Sequence, residues 1–323
     1  MTAPHDPDAG QVRPGRRRPW SRRWLRAAVA TALLVLLAVG VDAALLAARM
    51  GQVQVDLRAD DGDGRTWVLV GLDSRESLPA GAGADAFGST EEVPGSRADV
   101  VLVVHRTDAG TRVLSVPRDL LVTDGSHTGR LALSWLRGPQ ATVAALCGLG
   151  IPTDHLVTVD LAGFTDLVDA VGGVDVDLPG PVRDPQAGLL LTGSGRQELD
   201  GATALALVRS RHPEMPADGG WEPAPVDPDG RAATAAQVLG ALLERVADAR
   251  SQPWRLQRTA WAASGAMSLD PGTSLADLAA LAGTELTAAT VLPASPPVEG
   301  ALLRLPTAGT TAAVATAGLA CGG

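Results

Sequence analysis

The chain has 323 residues, enough to bury the core of one large domain or of two small ones. All 27 basic residues are arginine, against 36 acidic residues, and the net charge of −9 is uneven, with +5 on residues 1–50 and −14 on residues 51–323. A basic head before an acidic body excludes nucleic-acid binding as the main function.

The first predicted element is a membrane-spanning helix. A basic segment, residues 1–26, precedes an apolar run of 22 residues, 27–48, that only Asp42 interrupts. A run of this length crosses a bilayer as a helix, and the preceding arginines predict a cytoplasmic N-terminus and an extracytoplasmic C-terminal domain. A cleaved signal peptide is the alternative, but the length of the run favours a single-pass anchor in the cell membrane.

Three apolar strands are predicted after a polar linker, residues 49–65. They cover residues 66–72, 99–106 and 112–116, and a turn-rich connection joins the last two as a hairpin. If the first two strands also pair antiparallel, the charged residues at their ends meet at one edge of the sheet. These residues are Asp73, Arg75, Arg97, Asp99, Arg118 and Asp119.

Helices and strands then alternate along the chain. The patterns predict helices over 139–150, 160–173 and 229–249, and strands over 155–159 and 174–178. We therefore expect an α/β fold, a single domain with a central mixed β-sheet flanked by helices, preceded by the one N-terminal transmembrane helix. Its catalytic part spans 66–249, and residues 250–323 add helices, a strand and an Ala/Gly-rich tail.

Two arginines follow a short apolar helix that Asp200 is expected to cap. Arg209 and Arg211 are two residues apart, so in an extended segment both guanidinium groups would point the same way. Such a pair can grip phosphate oxygens, or it can bind surface carboxylates only. A Pro/Gly-rich loop, 213–230, comes next.

The chemistry that these residues support is phosphoryl transfer. Asp73 and Asp99 are oxygen ligands suited to Mg²⁺, and several arginine forks can hold a pyrophosphate. No Gly-x-Ser-x-Gly motif is present, and the five histidines are scattered, which argues against a Ser-His hydrolase. The alternative is a buried Asp–Arg network that only stabilises the edge of the sheet.

Several segments resemble the LytR-CpsA-Psr family of cell-wall enzymes, in its actinobacterial form. They are VLVGLDSR (68–75), SRADVVLVVHR (96–106), VLSVPRDLLV (113–122), DHLVTVDLAGFTDLVDAVGGVDVDL (154–178), LDGATALALVRSRH (199–212) and DPDGR (227–231). The resemblance implies a phosphotransferase that moves a glycopolymer from a polyprenyl-pyrophosphate carrier to peptidoglycan, outside the membrane, with Mg²⁺ as the cofactor. The lipid tail would lie in an apolar tunnel between sheet and helices.

The resemblance also implies roles for individual residues. Asp73 and Asp99 correspond to the aspartates associated with the metal, and together with Arg118 they form the expected catalytic group. The pyrophosphate would be bound by Arg75, Arg97, Arg118, Arg209, Arg211 and Arg231.

The chain departs from the family pattern at Thr234 and Ala235, where family members carry Arg-Gln. The departure favours, as an alternative, a homologue that binds polyprenyl (pyro)phosphate without turnover. A third interpretation, an envelope-linked transcriptional regulator, would require a cytoplasmic C-terminal domain. Cys147 and Cys321 would lie in an oxidising compartment, where they either form a disulfide or stay free.

Overall fold

The computed structural model describes residues 22–57, 64–74, 78–79, 94–225, 230–283, 289–298, 301 and 303–321. The chain forms two units, Met1–Leu45 and Leu46–Gly323. The first helix, α1 (Arg22–Arg49), is alone among the described helices in being long and apolar enough to cross a membrane, a property that signal sequences share. Most of its leucine and valine side chains are exposed.

The described strands form four sheets of seven, four, two and two strands. In chain order they are β1 (Gly51–Gln52), β2 (Arg65–Leu72), β3 (Ala98–Thr107), β4 (Gly110–Ser115), β5 (Leu121–Thr123), β6 (Thr128–Arg130), β7 (His155–Asp160), β8 (Val174–Leu178), β9 (Val182–Asp184), β10 (Leu189–Leu191), β11 (Gly195–Leu199), β12 (Glu214–Ala217), β13 (Gly220–Pro223), β14 (Met267–Leu269) and β15 (Thr290–Val291).

The helices after α1 lie mostly between the strands. They are α2 (Leu131–Ser134), α3 (Pro139–Gly148), α4 (Leu161–Val171), α5 (Gly201–Arg209), α6 (Gly230–Ala249), α7 (Pro253–Ala266), α8 (Leu275–Ala282) and α9 (Ala308–Thr316).

The central sheet is mixed and has the strand order β1-β14-β7-β2-β3-β4-β15. β3 runs antiparallel to both β2 and β4, as predicted, and β7 runs parallel to β2. Leu72 pairs with Ala98, and Leu102 pairs with Ser115, so the end of β2, the start of β3 and the end of β4 lie at the same edge. This charged edge carries Asp73, Arg97, Asp99, Arg118 and Asp119, and the predicted arrangement of these five residues is confirmed.

Both faces of the central sheet are covered, which explains why its strands are almost continuously apolar. On one face Val68 and Val103 lie in a core with Leu146 of α3. On the other face Leu102 lies in a core with Ala236 of α6. The α/β class with helices on both faces of a mixed sheet is therefore confirmed.

Local signals in the sequence account for the helix that follows β7. Asp160 caps α4 because its carboxylate accepts a hydrogen bond from Gly163 N–H at 2.7 Å. The helix ends at Gly172, which has a left-handed φ of +88°, a conformation that glycine adopts without strain. Asp200 caps α5 in the same way, through the N–H of Thr203.

Three segments differ from the prediction. Part of the segment expected as a linker joins the sheet, because β1 pairs with β14 and Val53 packs against the core. The expected loop 213–230 contains the β12–β13 hairpin. Arg209 is not extended, since α5 continues through it, and only the residues after it leave the helix.

The C-terminal tail is part of the folded body. Val314 and Leu319 are buried in the core that contains Leu146. Cys147 and Cys321 form a disulfide, so of the two alternatives left open by the sequence the structure has the paired one.

Candidate active site

The ends of two neighbouring strands bring two carboxylates to the charged edge. Asp73 directly follows β2, and Asp99 lies at the start of β3. The N–H of Asp73 donates a hydrogen bond to the carbonyl of Arg97 at 2.9 Å, which continues the antiparallel pairing beyond the strands. Asp73 is 7% exposed. The sheet thus places two acidic groups side by side where water reaches them poorly.

Two arginines from distant parts of the chain converge on Asp99. Arg118, after β4, forms an ion pair through Nη1 with Asp99 Oδ2. Arg211, after α5, donates from Nη2 to the same oxygen at 3.1 Å. Arg118 Nε also lies 3.5 Å from Asp119 Oδ1, an oxygen that Arg130 Nη1 approaches at 3.5 Å as well. Charges of opposite sign therefore alternate along this edge.

The burial of Asp99 makes its ionised form less favourable than it is in water. Burial raises the pKa of Asp99 above its ordinary value, Arg118 and Arg211 oppose this, and the charge of Asp73 adds to it. A metal cation close to both carboxylates would therefore stabilise their ionised forms.

The two aspartates could supply some of the ligands of a magnesium ion, with phosphate oxygens and waters as the others. Asp99 Oδ1 is buried and has no hydrogen-bond partner, while Oδ2 is held by the arginines. No group of three His, Cys, Asp or Glu side chains suited to a metal occurs in the described part of the chain. Mg²⁺ is commonly bound by one or two carboxylates with phosphate oxygens and waters as the other ligands, which is the arrangement that this site can offer.

A cavity of about 390 Å³ opens at the charged edge and extends between the sheet and the helices. Its polar lining includes Asp73, Asp99, Arg118, Arg209 and Arg211. The rest of its wall is largely apolar and comes from β2, β7, α4, α6 and α8. Its larger apolar side chains include Val159, Phe164, Leu239, Leu242, Val246 and Leu281. The cavity can hold an anionic group at the arginines and an apolar chain behind it.

A residue that sequence analysis missed fixes the position of Arg211, the arginine that follows α5. Asp184, at the end of β9, is fully buried, and its Oδ2 accepts hydrogen bonds from Ser210 Oγ, Arg211 N–H and His212 N–H at 2.8–2.9 Å. Its Oδ1 accepts from the N–H groups of residues 186 and 187. Although burial acts to raise it, the bonds from His212, Ser210 and Arg211 hold the pKa of Asp184 below its ordinary value.

Three other arginines were expected to bind the pyrophosphate. Arg97 touches the site through its backbone, and its side chain is not part of the cavity lining. Arg75 lies outside the described residues. Arg231 lies in the first turn of α6, and its side chain is outside the described part of the chain.

The position of the expected Arg-Gln pair is apolar in this chain. Ala235 is buried and lines the cavity. Gln237 is exposed and donates from Nε2 to the carbonyl of Asp177 at 3.0 Å, so it is not directed toward the cavity mouth. At Ala235 the glutamine of the expected pattern is thus replaced by an apolar wall, and Thr234 replaces the arginine with a shorter, uncharged side chain.

The contacts of the site are compatible with two interpretations, and the cavity favours one of them. The ion pairs of Arg118 and Arg211 with Asp99 would by themselves suit a structural network. A network that only joined strands would have no need of a deep apolar cavity behind it. An amphiphilic anion explains both the charged mouth and the apolar wall.

Comparison with known proteins adds independent information. The model of the LytR_cpsA_psr family matches residues 42–291. Two curated relatives match 46% of the chain: the probable cell wall biosynthesis protein LcpB of Corynebacterium glutamicum, 36% identical over 155 residues, and the polyisoprenyl-teichoic acid–peptidoglycan teichoic acid transferase TagV of Bacillus subtilis, 31% identical over 160 residues. The matched part spans only 36% of the first relative and 38% of the second.

Among solved structures, a LytR-Csp2A-Psr enzyme from Actinomyces oris is similar throughout its length. It has a TM-score of 0.71 and 35% sequence identity, and the match covers 84% of this chain and 97% of that one. The similarity in fold therefore extends over most of this chain.

Proposed function

The chain belongs to the LytR_cpsA_psr family, and from this premise we propose that it transfers a glycopolymer from a polyprenyl-pyrophosphate carrier to peptidoglycan in cell-wall assembly. The observation that carries the proposal is the cavity whose arginine-lined mouth continues into an apolar wall. The names of relatives such as TagV, a teichoic acid transferase, support the same substrate class.

The substrate class follows from the two halves of the cavity. Arg118, Arg209 and Arg211 line its mouth, and arginine forks bind phosphate oxygens through paired N–H donors. The apolar wall between sheet and helices suits an unbranched or isoprenoid hydrocarbon chain. A pyrophosphate attached to a polyprenyl tail satisfies both halves.

In the proposed reaction a sugar hydroxyl of peptidoglycan attacks the phosphorus that carries the glycopolymer. A new P–O bond forms to that hydroxyl oxygen, and the P–O bond to the bridging oxygen breaks, so that polyprenyl phosphate leaves with the electron pair. The hydroxyl proton passes to Asp73 or Asp99. Arg118 and Arg211 hold the phosphate oxygens during the displacement and stabilise their charge. Mg²⁺, when bound by Asp73 and Asp99, would neutralise phosphate charge.

Retention of the lipid tests binding, and transfer tests turnover. We expect the full-length chain, purified in detergent, to retain polyprenyl phosphates detectable by mass spectrometry. The triple variant Arg118→Ala, Arg209→Ala, Arg211→Ala should lose them. A matched control replaces three exposed arginines away from the cavity lining, Arg106, Arg112 and Arg196, with alanine. Equal retention by both triple variants would contradict the proposal.

The alternative, binding without turnover, is favoured by the apolar position of Ala235. The double variant Thr234→Arg, Ala235→Gln restores the residues of the family pattern. If the native chain binds the lipid but transfers poorly, the double variant should increase the rate of transfer per molecule of retained lipid. An unchanged rate would show that this pair does not limit turnover.

We also propose that α1 anchors the chain in the cell membrane with the body outside. The disulfide between Cys147 and Cys321 supports an oxidising compartment for the body. A fusion of alkaline phosphatase to the C-terminus should be active in cells, because that enzyme requires an oxidising compartment. A fusion that is expressed at the level of an active control fusion but is itself inactive would place the body in the cytoplasm. That result would favour the interpretation of the chain as a transcriptional regulator.

A further inference from the structure

The feature behind this inference is the helix α7, which combines exposed tryptophans with basic residues. Trp254 is 71% exposed and Trp261 is 45% exposed. They are seven residues apart, so they lie on the same face of the helix, two turns from each other. The only charged residues of α7 are Arg255 and Arg258, although the body as a whole is strongly acidic.

α7 is firmly packed on the body. Thr259 and Ser264 are buried, and Arg258 Nε donates a hydrogen bond to the carbonyl of Ala170, in α4, at 2.9 Å. The exposed tryptophans are therefore a surface feature of a fixed helix.

The end of the apolar N-terminal run lies against this helix. Arg49, which follows the run directly, has its Cζ 4.0 Å from the ring centroid of Trp261, and its Nε donates to Ser264 Oγ at 3.2 Å. A Cβ on Gly265 would come within 2.8 Å of Arg49 Nη2, so this glycine gives the arginine room to cross the helix. A chain that leaves a bilayer at Ala48 would hold α7 within a few ångströms of the lipid headgroups.

The register of the sheet shows which edge of the sheet lies on the same side as the start of β1. Gly51 pairs with Ser268, and Met267 pairs with Val159, so β1 begins at the edge where β7 ends. β7 is parallel to β2, which places Asp73 at this same edge. Between β1 and β2 lie two other strands, so Asp73 is roughly 14 Å from β1 across the sheet.

We propose that α7 lies on the outer surface of the chain's own membrane, with Trp254 and Trp261 at the level of the headgroups and Arg255 available to anionic phospholipids. This inference rests on the proposed anchoring role of α1. Tryptophan is the residue that prefers the membrane–water interface, and arginine is attracted to anionic lipid surfaces. The contact directs the charged edge toward the bilayer, so a lipid-linked pyrophosphate can reach the cavity mouth while its tail is still in the membrane.

Quenching of tryptophan fluorescence by brominated lipid tests the contact. The full-length chain is reconstituted in vesicles of phosphatidylcholine and phosphatidylglycerol, with or without bromine on the acyl chains of the phosphatidylcholine. Trp254→Phe should lower the fraction of emission that bromine quenches, because it removes an emitter close to lipid. Trp67→Phe should raise that fraction, because it removes a buried emitter about 20 Å from the charged edge. A rise with Trp254→Phe would overturn the proposal.

The contribution of charge is tested separately. Arg255→Glu should reduce quenching in anionic vesicles and leave it unchanged in vesicles of phosphatidylcholine alone. Arg106→Glu, an exposed arginine at the opposite edge of the sheet, is the matched control and should change neither value. Equal quenching for Arg255→Glu and the native chain in anionic vesicles would overturn the role assigned to anionic lipid.

Three readouts keep the hypotheses apart. Flotation of the protein with vesicles after a carbonate wash reports on the anchor α1, and glycopolymer transfer reports on the proposed function. Only the quenching by brominated lipid reports on α7. A chain that floats and transfers, yet shows no fall in quenching with Trp254→Phe, contradicts the inference about α7 alone.

Discussion

At the scale of single residues, Asp184 connects two segments that are far apart in the sequence. Its two carboxylate oxygens receive donors from residues 186–187 and from residues 210–212. It lines the cavity, and because its carboxylate oxygens accept bonds from these donors, it acts by holding the backbone that carries Arg211. We therefore regard it as a positioning residue of the site.

We expect Asp184→Asn to destabilise the protein by about 3 kcal/mol at pH 7, because an amide NH₂ would face N–H donors inside the body. The folded-state pKa of Asp184 lies below the ordinary value of 3.8. Its carboxylate therefore contributes stability above that pH, and the contribution is lost as the pH falls through the folded-state pKa. Urea unfolding of both chains between pH 3 and pH 7 should show their difference shrinking in acid.

A positioning role also predicts a kinetic effect. Asp184→Asn should raise the KM for the lipid-linked substrate more than it lowers kcat, because Arg211 is misplaced while Asp73, Asp99 and Arg118 remain. Asp200→Asn, which keeps an oxygen at a helix cap, is the control and should leave both constants close to native. A pure fall in kcat would argue against positioning.

We expect a substitution of Asp99 to affect lipid binding and glycopolymer transfer differently. Asp99→Asn removes a carboxylate that now occupies both Arg118 and Arg211, so these arginines become available to phosphate oxygens. We expect lipid retention to persist or rise, including in EDTA, while transfer falls about 100-fold or more. Mass spectrometry of the retained lipid beside a transfer assay measures both. Loss of the lipid would show that Asp99 is needed for binding.

At the scale of elements, the parts that could be predicted are those with a strong local pattern. β2, β3 and β4 are long apolar runs joined by recognisable turns, so their antiparallel pairing and the charged edge followed directly. β1, β12 and β13 are only two to four residues long and have no periodicity that distinguishes them from loop. The role of Asp184 could not be predicted for another reason, because only tertiary folding brings its partners at 210–212 to it.

The helix α6 forms the apolar wall of the cavity at Ala235, and a larger side chain there should occupy the space of the lipid. We expect Ala235→Phe to reduce retention of long polyprenyl phosphates by about tenfold, while a short-chain analogue is affected less. Ala233→Phe, on the exposed side of the same helix, should leave both unchanged. Retention measured for two chain lengths by mass spectrometry distinguishes filling of the cavity from unfolding.

At the scale of the whole molecule, the disulfide ties the C-terminal tail to the body. Cys147 and Cys321 are 174 residues apart, and cross-links that close long loops restrict the unfolded chain most. We expect the double variant Cys147→Ala, Cys321→Ala to lose about 2–5 kcal/mol of stability. Guanidinium unfolding of the variant, beside the oxidised and the reduced native chain, measures the loss. Equal unfolding midpoints for the variant, the oxidised native chain and the reduced native chain would show that core packing alone holds the tail on the body.

The long separation of these cysteines also imposes an order of events during biosynthesis. After Cys147 has been added to the chain, 174 further residues must follow before its partner exists, which takes roughly 10 to 30 s at ordinary rates of synthesis. Throughout that interval the thiol has no other cysteine of the same 323 residues to join. Within these 323 residues an incorrect pairing is therefore impossible, and a premature cross-link requires a thiol or disulfide from outside them.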